Sequence, residues 1–448
     1  MIDLFSGCGG LSLGFQKAGY DLISSIEIDQ AALDVALYNL FWRYGDFLKQ
    51  ESLDVTLVES DMLPVPDREY PLVVVGGPPC QAYSMAGRAK LMSLKGGKCY
   101  TEDERGFLFE DFVRLSVNLD ADAVIMENVP ESVNFGGLNV PELVCKMLSE
   151  RGFHAKWTVL NSADYGVPQA RERVFVVGVK GEYFSNFKFP TPTHKSPVQE
   201  LTNTQKRFSK FDDLDYFVMP NLAKSTLPLW NTVEDAISDL PSLFPTAKSQ
   251  YRLYQPTVQL PYKTKASNQY QKLMRSWYGT ETMGVTGHSF RRTIRDYPIF
   301  ELMKEGDNFL DASLIADKLL EDTARIRGIR EKDCPEAYND LKKKIVPPYD
   351  RTKFLSKWKK LERNRPSHTL PAHLGVDSYS HIHPWEPRGI SVREAARLQS
   401  FPDEFLFQTS MSNAFKQIGN SVPPLLANAI ANSLLESLVV LERMAKNG

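Results

Sequence analysis

Two consecutive prolines ahead of a cysteine, in Gly76-Gly77-Pro78-Pro79-Cys80-Gln81, make a stretch whose chemistry would be covalent. Each proline fixes its own φ and pushes the residue before it toward extended geometry, so the Cys80 thiol is held before any substrate arrives. A held thiol suits nucleophilic catalysis. Taken alone, the stretch fits more readily a buried, small apolar cysteine. Four other segments reverse that order. Asp3-Leu4-Phe5-Ser6-Gly7-Cys8-Gly9-Gly10 is a short strand running into a Gly-rich turn that opens a helix, where a ligand can approach backbone N–H groups. Its spacing is not that of the dinucleotide fingerprint G-x-G-x-x-G. Glu127-Asn128-Val129, Gln169-Ala170-Arg171-Glu172-Arg173 and Gln417-Ile418-Gly419-Asn420-Ser421-Val422-Pro423-Pro424 follow in this order.

The elements that must position these segments come from apolar periodicity. Strands are expected over residues 2–5, 22–27, 55–60, 72–75, 123–127, 157–161 and 174–179, and helices over 11–18, 31–40, 107–118 and 142–151. Strand–helix alternation predicts a mostly parallel sheet with helices on both faces. Ligands bind such sheets outside the carboxyl ends of the strands, where each segment above falls at a strand end or in the loop after it. Glu27 closes the second strand roughly 20 residues past the Gly turn, where an acid would accept hydrogen bonds from ribose hydroxyls. Asp61 closes the third. Either carboxylate alone reads as a helix cap or a solvated side chain, and their matched positions at successive strand ends invert that.

The ordered set resembles the DNA cytosine-5 methyltransferase family, over roughly the first 180 residues and the last 85 or so. The resemblance implies an α/β fold, an S-adenosylmethionine-dependent, Rossmann-like sheet with a smaller target-recognition domain. It divides the chain into a catalytic and cofactor-binding domain (1–184), a DNA-reading domain (185–388) and a C-terminal return to the catalytic domain (389–448). S-Adenosylmethionine is then expected at Phe5, Ser6, Gly7, Cys8, Gly9 and Gly10. Glu27 would hold its ribose, Ile28 and Met62 would sandwich the adenine, and Asp61 would receive the adenine amino group. Leu108 would pack on the cofactor, and Asn420, Ser421 and Val422 would complete the pocket.

By the same resemblance Cys80 adds to carbon 6 of a flipped-out cytosine, making carbon 5 nucleophilic toward the methyl group. Glu127 contacts ring N3 and the exocyclic amine as a carboxyl that keeps or shares a proton, which needs burial that the Val124-Ile125-Met126 run can supply. Arg173 contacts the cytosine O2, with Arg171 in support. The final base is unassigned among the side chains, and a water can serve. Residues 81–98, glycine- and lysine-bearing, are expected to form a loop that closes over DNA. The residue-level alternative for 169–173 is a solvated turn before a strand. Two positions depart from the family pattern: Tyr83, where phenylalanine is usual, and Ser400, where glycine is common.

Between about residue 181 and residue 388 the alternation stops. Residues 240–280 carry no acid, and there Lys248, Arg252, Lys263, Lys265, Lys272 and Arg275 are interleaved with tyrosines and Trp277, a composition suited to phosphate contact and base stacking. A second cluster, 342–365, holds ten Lys and Arg against Asp350 and Glu362. Each could equally be a solvated face. Arg365-Pro366-Ser367-His368-Thr369-Leu370 matches the family motif that organises this domain, and residues 391–399 read as a capped amphipathic helix.

Composition sets wider bounds. The 448 residues, 42% hydrophobic, can bury a sizeable core, and no apolar run approaches a membrane span, so a cytoplasmic protein with no membrane partner is expected. Five cysteines without a C-x-x-C pair argue against a disulfide framework or a zinc site. His381 and His383 read as part of a solvated loop, and no metal is expected. A formal net charge of −2 means that nucleic-acid contact must come from local patches. The expected partner is double-stranded DNA, with a cognate restriction endonuclease as a possible second and action as a monomer. With no segment ahead of the first strand, a stand-alone bacterial or phage modification enzyme fits best. Two rival classes stand beside this one: a transfer-RNA methylase of the same fold, whose Cys-Phe-Thr signature is absent here, and a catalytically silent DNA-binding subunit. A small-molecule dehydrogenase is more distant, because it leaves Cys80 and the arginines unexplained.

Overall fold

Short apolar runs with β-branched residues, buried on both faces, build a six-stranded sheet. The computed structural model describes residues 1–42, 45, 50–64, 70–79, 107–181, 187–198, 203–243, 254–351 and 357–445. They pack as two units, Met1–Trp230 with Gln399–Phe401 and Ser421–Gly448, and Asn231–Leu398 with Pro402–Asn420. In the first unit the strands are β1 (Ile2–Leu4), β2 (Ser24–Ile26), β3 (Val73–Gly76), β4 (Ala123–Asn128), β5 (Phe153–Asn161), a two-residue β6 (Gln169–Ala170) and β7 (Glu172–Lys180). The sheet order is β2-β1-β3-β4-β7-β5. β1 pairs in parallel with β2 and β3, and β3 with β4, while β7 runs antiparallel between β4 and β5.

Side-chain alternation along β1 sorts the helices. Ile2 and Leu4 join Val74, Val124, Met126, Val174 and Val176 in a core that also takes Phe112 and Val113 of α3 (Leu108–Asn118), the helix after α2 (Gln30–Leu40), and Val144 and Leu148 of α4 (Val140–Ser149). Each such side chain, fully buried, contributes about 1.5–3 kcal/mol against exposure. Asp3 points the other way and accepts a hydrogen bond from Ser12 Oγ of α1 (Gly10–Lys17). α1 also meets the last helix, Pro424–Ala445, where Asn428 Nδ2 donates to Gly14 O at 3.1 Å and Tyr20 Oη donates to Ala431 O at 3.1 Å. Helices therefore cover both faces. Where β1 and β3 approach, a Cβ at Gly76 would stand 2.1 Å from Leu4 O, so only glycine fits there.

The expected strand over 55–60 is not a strand. Asp54 caps Thr56, accepting from its N–H at 3.0 Å and its Oγ1 at 2.8 Å, and the segment forms the 3-10 turns Val55–Leu57 and Ser60–Met62. Arg114 of α3 takes the carbonyls of Val58 (3.1 Å) and Val55 (3.3 Å) that a ladder would have used. Val55 and Val58 are buried and Leu57 is exposed, a spacing of three that fits the turn.

The second unit centres on a buried ionic network. The helix Val392–Leu398 is buried along its whole length, so the expected amphipathic face is absent, while the expected cap is present: Ser391 Oγ accepts from Glu394 N–H (3.0 Å) and Glu394 Oε2 from Ser391 N–H (2.7 Å). Arg397 pairs with Asp403 (2.6 Å) and Asp239 (3.3 Å), and Arg388 with Glu394 (2.7 Å) and Glu386 (2.7 Å). Arg393 instead donates to the carbonyls of Thr286, Pro402 and Phe405. Arg275, Tyr270 and Trp277 belong to this interior and not to a basic face, with Arg275 Nε 3.0 Å from Asp239 Oδ2 and its guanidinium 3.6 Å over the Tyr262 ring. His381 and His383 are likewise buried, His381 stacked on His368 at 4.0 Å and His383 3.5 Å from Glu394, which replaces the expected solvated loop. Among the described residues no group of acids, histidines and cysteines could hold a metal, and no helix is long and apolar enough to cross a membrane.

Burial raises the Asp3 carboxyl to about 7, against the opposing hydrogen bond from Ser12. A carboxyl raised above its unfolded value gives the folded state extra bound protons between roughly pH 4 and 7, so its contribution is present at low pH and lost as pH rises through about 7. Asp3→Asn is predicted to raise the urea midpoint over wild type at pH 8 and to raise it clearly less at pH 5, where only the first part of that window has been crossed. Equal differences at both pH values would show that Asp3 does not titrate on unfolding.

Candidate active site

Four parallel strand ends and the start of one antiparallel strand meet at the same edge of the sheet. The first is β1. Phe5 leaves it with a left-handed φ of 65°, a conformation that costs a non-glycine residue about 1–3 kcal/mol and that clusters at functional turns. Gly7 (φ 55°) and Gly9 (φ 88°) continue a turn that only glycine enters easily, and α1 begins at Gly10. Glu27, just past β2, ties this turn down: its Oε2 accepts from Gly7 N–H at 2.8 Å and its Oε1 from Asp29 N–H at 2.9 Å. Burial raises the Glu27 pKa, opposed by these backbone hydrogen bonds. Each carboxylate oxygen keeps a lone pair for a further donor.

Cys8 is buried, and burial pushes its thiol up to about 12, so it stays protonated and inert as a nucleophile. Its Sγ lies 3.1 Å from Ser421 Oγ. Ser421 and Val422 come back against the turn closely enough that a Cβ on Gly10 would be 2.6 Å from Val422 O. Asp61 and Met62 sit in the turn Ser60–Met62 that Arg114 anchors, and Ile28 and Met62 are exposed large apolar side chains, 66% and 56% accessible. Leu108 is half-buried at the start of α3, and Asn420 ends the helix Met411–Asn420 in the second unit. The backbone donors of the glycine turn, the Glu27 oxygens and uncovered apolar side chains form a donor set suited to an adenosine-bearing ligand.

The second half of the edge is charged. Glu127 ends β4, and Arg173 Nε meets its Oε1 at 2.8 Å; both side chains are about nine-tenths buried. The pairing is possible because β7 is antiparallel. Its register, Asn128 against Val174 and Leu160 against Arg173, starts β7 at the edge where β4 ends, so an arginine ahead of an apolar run arrives beside an acid behind one. Burial raises the Glu127 pKa, and the charges of Arg173 and then Arg171 oppose that rise. Arg171 is fully buried, and its carbonyl accepts from Ser162 N–H (2.9 Å) and Ser162 Oγ (2.8 Å). Gln169, also buried, donates to Gln399 Oε1 at 2.6 Å. Burial of Gln169, Arg171 and Arg173 overturns the solvated-turn alternative.

Gly77 lies beside the pair. A Cβ there would be 3.0 Å from Glu127 Oε2, and Asn128 Nδ2 reaches Pro78 O at 3.5 Å. The approach to the cysteine loop therefore runs alongside the buried carboxyl. Cys80, Tyr83 and the expected closing loop 81–98 lie outside the described residues. Gln399, Ser162 and Arg114 carry position rather than chemistry, and sequence reasoning passed over them because isolated polar residues in apolar surroundings have no local signature. Ser400 has a φ of 63°, which accounts for the glycine expected there, and its Oγ accepts from Leu425 N–H at 3.2 Å.

Comparisons with known proteins agree with this geometry. A family model described as C-5 cytosine-specific DNA methylase matches residues 1–436. A relative from Oceanobacillus iheyensis, named as a candidate type II methyltransferase (M.OihORF3336P), is 50% identical over 98% of this chain and 95% of its own length. The type II methyltransferase M.AgeI of Thalassovita gelatinovora is 29% identical over 97% of this chain and 98% of its own. The fold is shared with the crystal structure of a candidate DNA modification methyltransferase encoded within an Escherichia coli prophage, with a TM-score of 0.61 at 22% identity over 98% of this chain and 99% of that one. The chain thus belongs to the C-5 cytosine-specific DNA methylases and is a DNA cytosine-5 methyltransferase.

Proposed function

We propose that this enzyme methylates cytosine within a specific duplex DNA sequence, using S-adenosylmethionine, as the modification enzyme of a restriction–modification system or as an orphan modification enzyme. The observation that carries the reading is the buried Glu127–Arg173 pair beside the approach to Cys80. S-Adenosylmethionine, bound at the glycine turn, supplies an electrophilic methyl group. The chain's residues supply the rest. The turn from Phe5 to Gly10 offers backbone N–H groups, with Glu27 toward the ribose and Asp61, Ile28, Met62, Leu108, Asn420, Ser421 and Val422 around the remainder.

The Cys80 thiolate adds to carbon 6 of a cytosine turned out of the duplex, forming a carbon–sulfur bond and shifting the ring's electrons toward carbon 5 and N3. The Glu127 carboxyl, kept neutral or proton-sharing by burial, hydrogen-bonds N3 as that charge builds. Arg173 and Arg171 are fixed cations that meet charge at O2 without reorganising. Carbon 5 then takes the methyl group, a base or water removes the carbon 5 proton, and the returning electron pair expels Cys80. The functional division into 1–184, 185–388 and 389–448, monomeric action, a cognate endonuclease and a cytoplasmic location belong to the same proposal.

Labelled methyl transfer to genomic DNA and, in parallel, to transfer RNA, with base-resolution sequencing, tests the substrate class. Label is expected in cytosines of one short DNA motif and is expected to vanish in Cys80→Ala. Label in transfer RNA alone would overturn the proposal. A second outcome follows from the raised Glu127 carboxyl, which holds its proton to higher pH than a free glutamate and loses it as pH rises through that raised pKa. Wild-type kcat/KM is predicted to fall with rising pH through that titration. Glu127→Gln should lose about 10²–10⁴-fold in kcat/KM and lose that alkaline fall. An unchanged alkaline limb in Glu127→Gln would assign it to another group.

A further inference from the structure

A line of hydrogen-bonded side chains, buried except at the half-buried Ser421, joins the two halves of the sheet edge. Gln169 Nε2 donates to Gln399 Oε1 at 2.6 Å, Gln399 Nε2 donates to Ser421 O at 2.5 Å, and Ser421 Oγ meets Cys8 Sγ at 3.1 Å. Gln169 and Gln399 have no measurable exposure and Cys8 has 1%. At one end of the line is the glycine turn. At the other, β6 leads within two residues to Arg171, whose carbonyl is doubly held by Ser162. The Gln399 side chain bonds in both directions, through its carbonyl oxygen and its amide.

The bonds are short and the Gln169–Gln399 contact is fully buried, so the line has little room to deform there. An amide that loses a partner inside such a site is left with an unsatisfied buried group, which penalises partial rearrangement. A shift of Ser421 on filling the cofactor turn therefore has a rigid route to Gln169 and the arginines that follow it. Leu425 N–H donating to Ser400 Oγ at 3.2 Å fastens the residue after Gln399 to the chain after Ser421, closing a small loop of contacts around the glutamine.

We propose that Gln399 is a positioning residue that couples the cofactor turn to the arginine-bearing strand, so that cofactor occupancy strengthens the hold of Arg171 and Arg173 on the target base, and the bound base strengthens cofactor binding in return. The inference rests on the assignment of these two sites under the proposed function. Linkage requires the coupling to be reciprocal, and couplings of this kind span about 5–150-fold in affinity.

The test measures the affinity of S-adenosylhomocysteine for the full chain, alone and with a saturating duplex that carries the motif found in the transfer assay. Wild type is expected to bind S-adenosylhomocysteine at least about fivefold more tightly with the duplex present. Gln399→Met, which keeps the length and removes both hydrogen bonds, should bring that factor below about twofold while each ligand bound alone shifts far less. Gln399→Glu, which keeps the acceptor for Gln169 and loses the donor to Ser421 O, should do the same and decides the matter if the methionine variant does not fold. A wild type without coupling, or variants that keep it, would overturn the inference and leave the proposed function standing. A wild type that binds no S-adenosylhomocysteine or methylates no DNA would remove the proposed function, and this inference with it.

Discussion

The Glu127–Arg173 pair is the interaction on which the rest of the site depends. A carboxyl and a guanidinium are brought together at 2.8 Å with nearly all solvent removed, and burial still leaves the acid with a raised pKa. Breaking such a pair by removing one partner costs about 3–5 kcal/mol, because the other charge is left buried alone. The pair exists because β7 enters the sheet antiparallel between β4 and β5. A parallel β7 would send Arg173 to the opposite edge. The mixed sheet is thus the means by which an arginine at the start of a strand reaches a glutamate at the end of another.

The half of the edge proposed for the cofactor is held by a different device. There the backbone would be the recognition surface, and the side chains serve mainly to fix it. Glu27 takes the Gly7 amide, Ser12 reaches down to Asp3 in the middle of β1, and Phe5 is kept in a conformation it would otherwise avoid. Arg114 does the same for the turn that bears Asp61 and Met62, by binding carbonyls that have no strand partner. The positions with chemistry to perform are few, and each is surrounded by residues that only hold it.

Much of this arrangement can be read in the sequence, and its limits have physical causes. β1, β3, β4 and β7 are runs of Val, Ile and Leu with sharp polar ends, so their periodicity and the glycine, glutamate and arginine segments at their tips are visible without coordinates. The run Val55-Thr56-Leu57-Val58 has the same composition, yet Asp54 before it offers a local cap that a pattern of apolar residues does not weigh, and the chain turns. Arg275 looks like part of a basic face, because the acid that neutralises it, Asp239, lies 36 residues earlier in the chain, and the same Asp239 also meets Arg397 across 158 residues. Likewise His381 and His383 become interior residues through partners, His368 and Glu394, that spacing alone does not reveal. The Gln169–Gln399 contact spans 230 residues and has no local trace at all.

The proposed role of the buried Glu127–Arg173 pair is to prepare a cytosine for attack by Cys80. Its most direct test is covalent trapping on a duplex whose target cytosine bears fluorine at carbon 5, which cannot leave as the proton does. After incubation with S-adenosylmethionine, peptide mass spectrometry would locate the adduct, and its rate of formation would be compared among wild type, Glu127→Gln and Arg173→Lys. The predicted result is an adduct on Cys80 alone, formed roughly 10²-fold or more slowly in both variants. An adduct on another cysteine, or one formed at the wild-type rate in either variant, would contradict it.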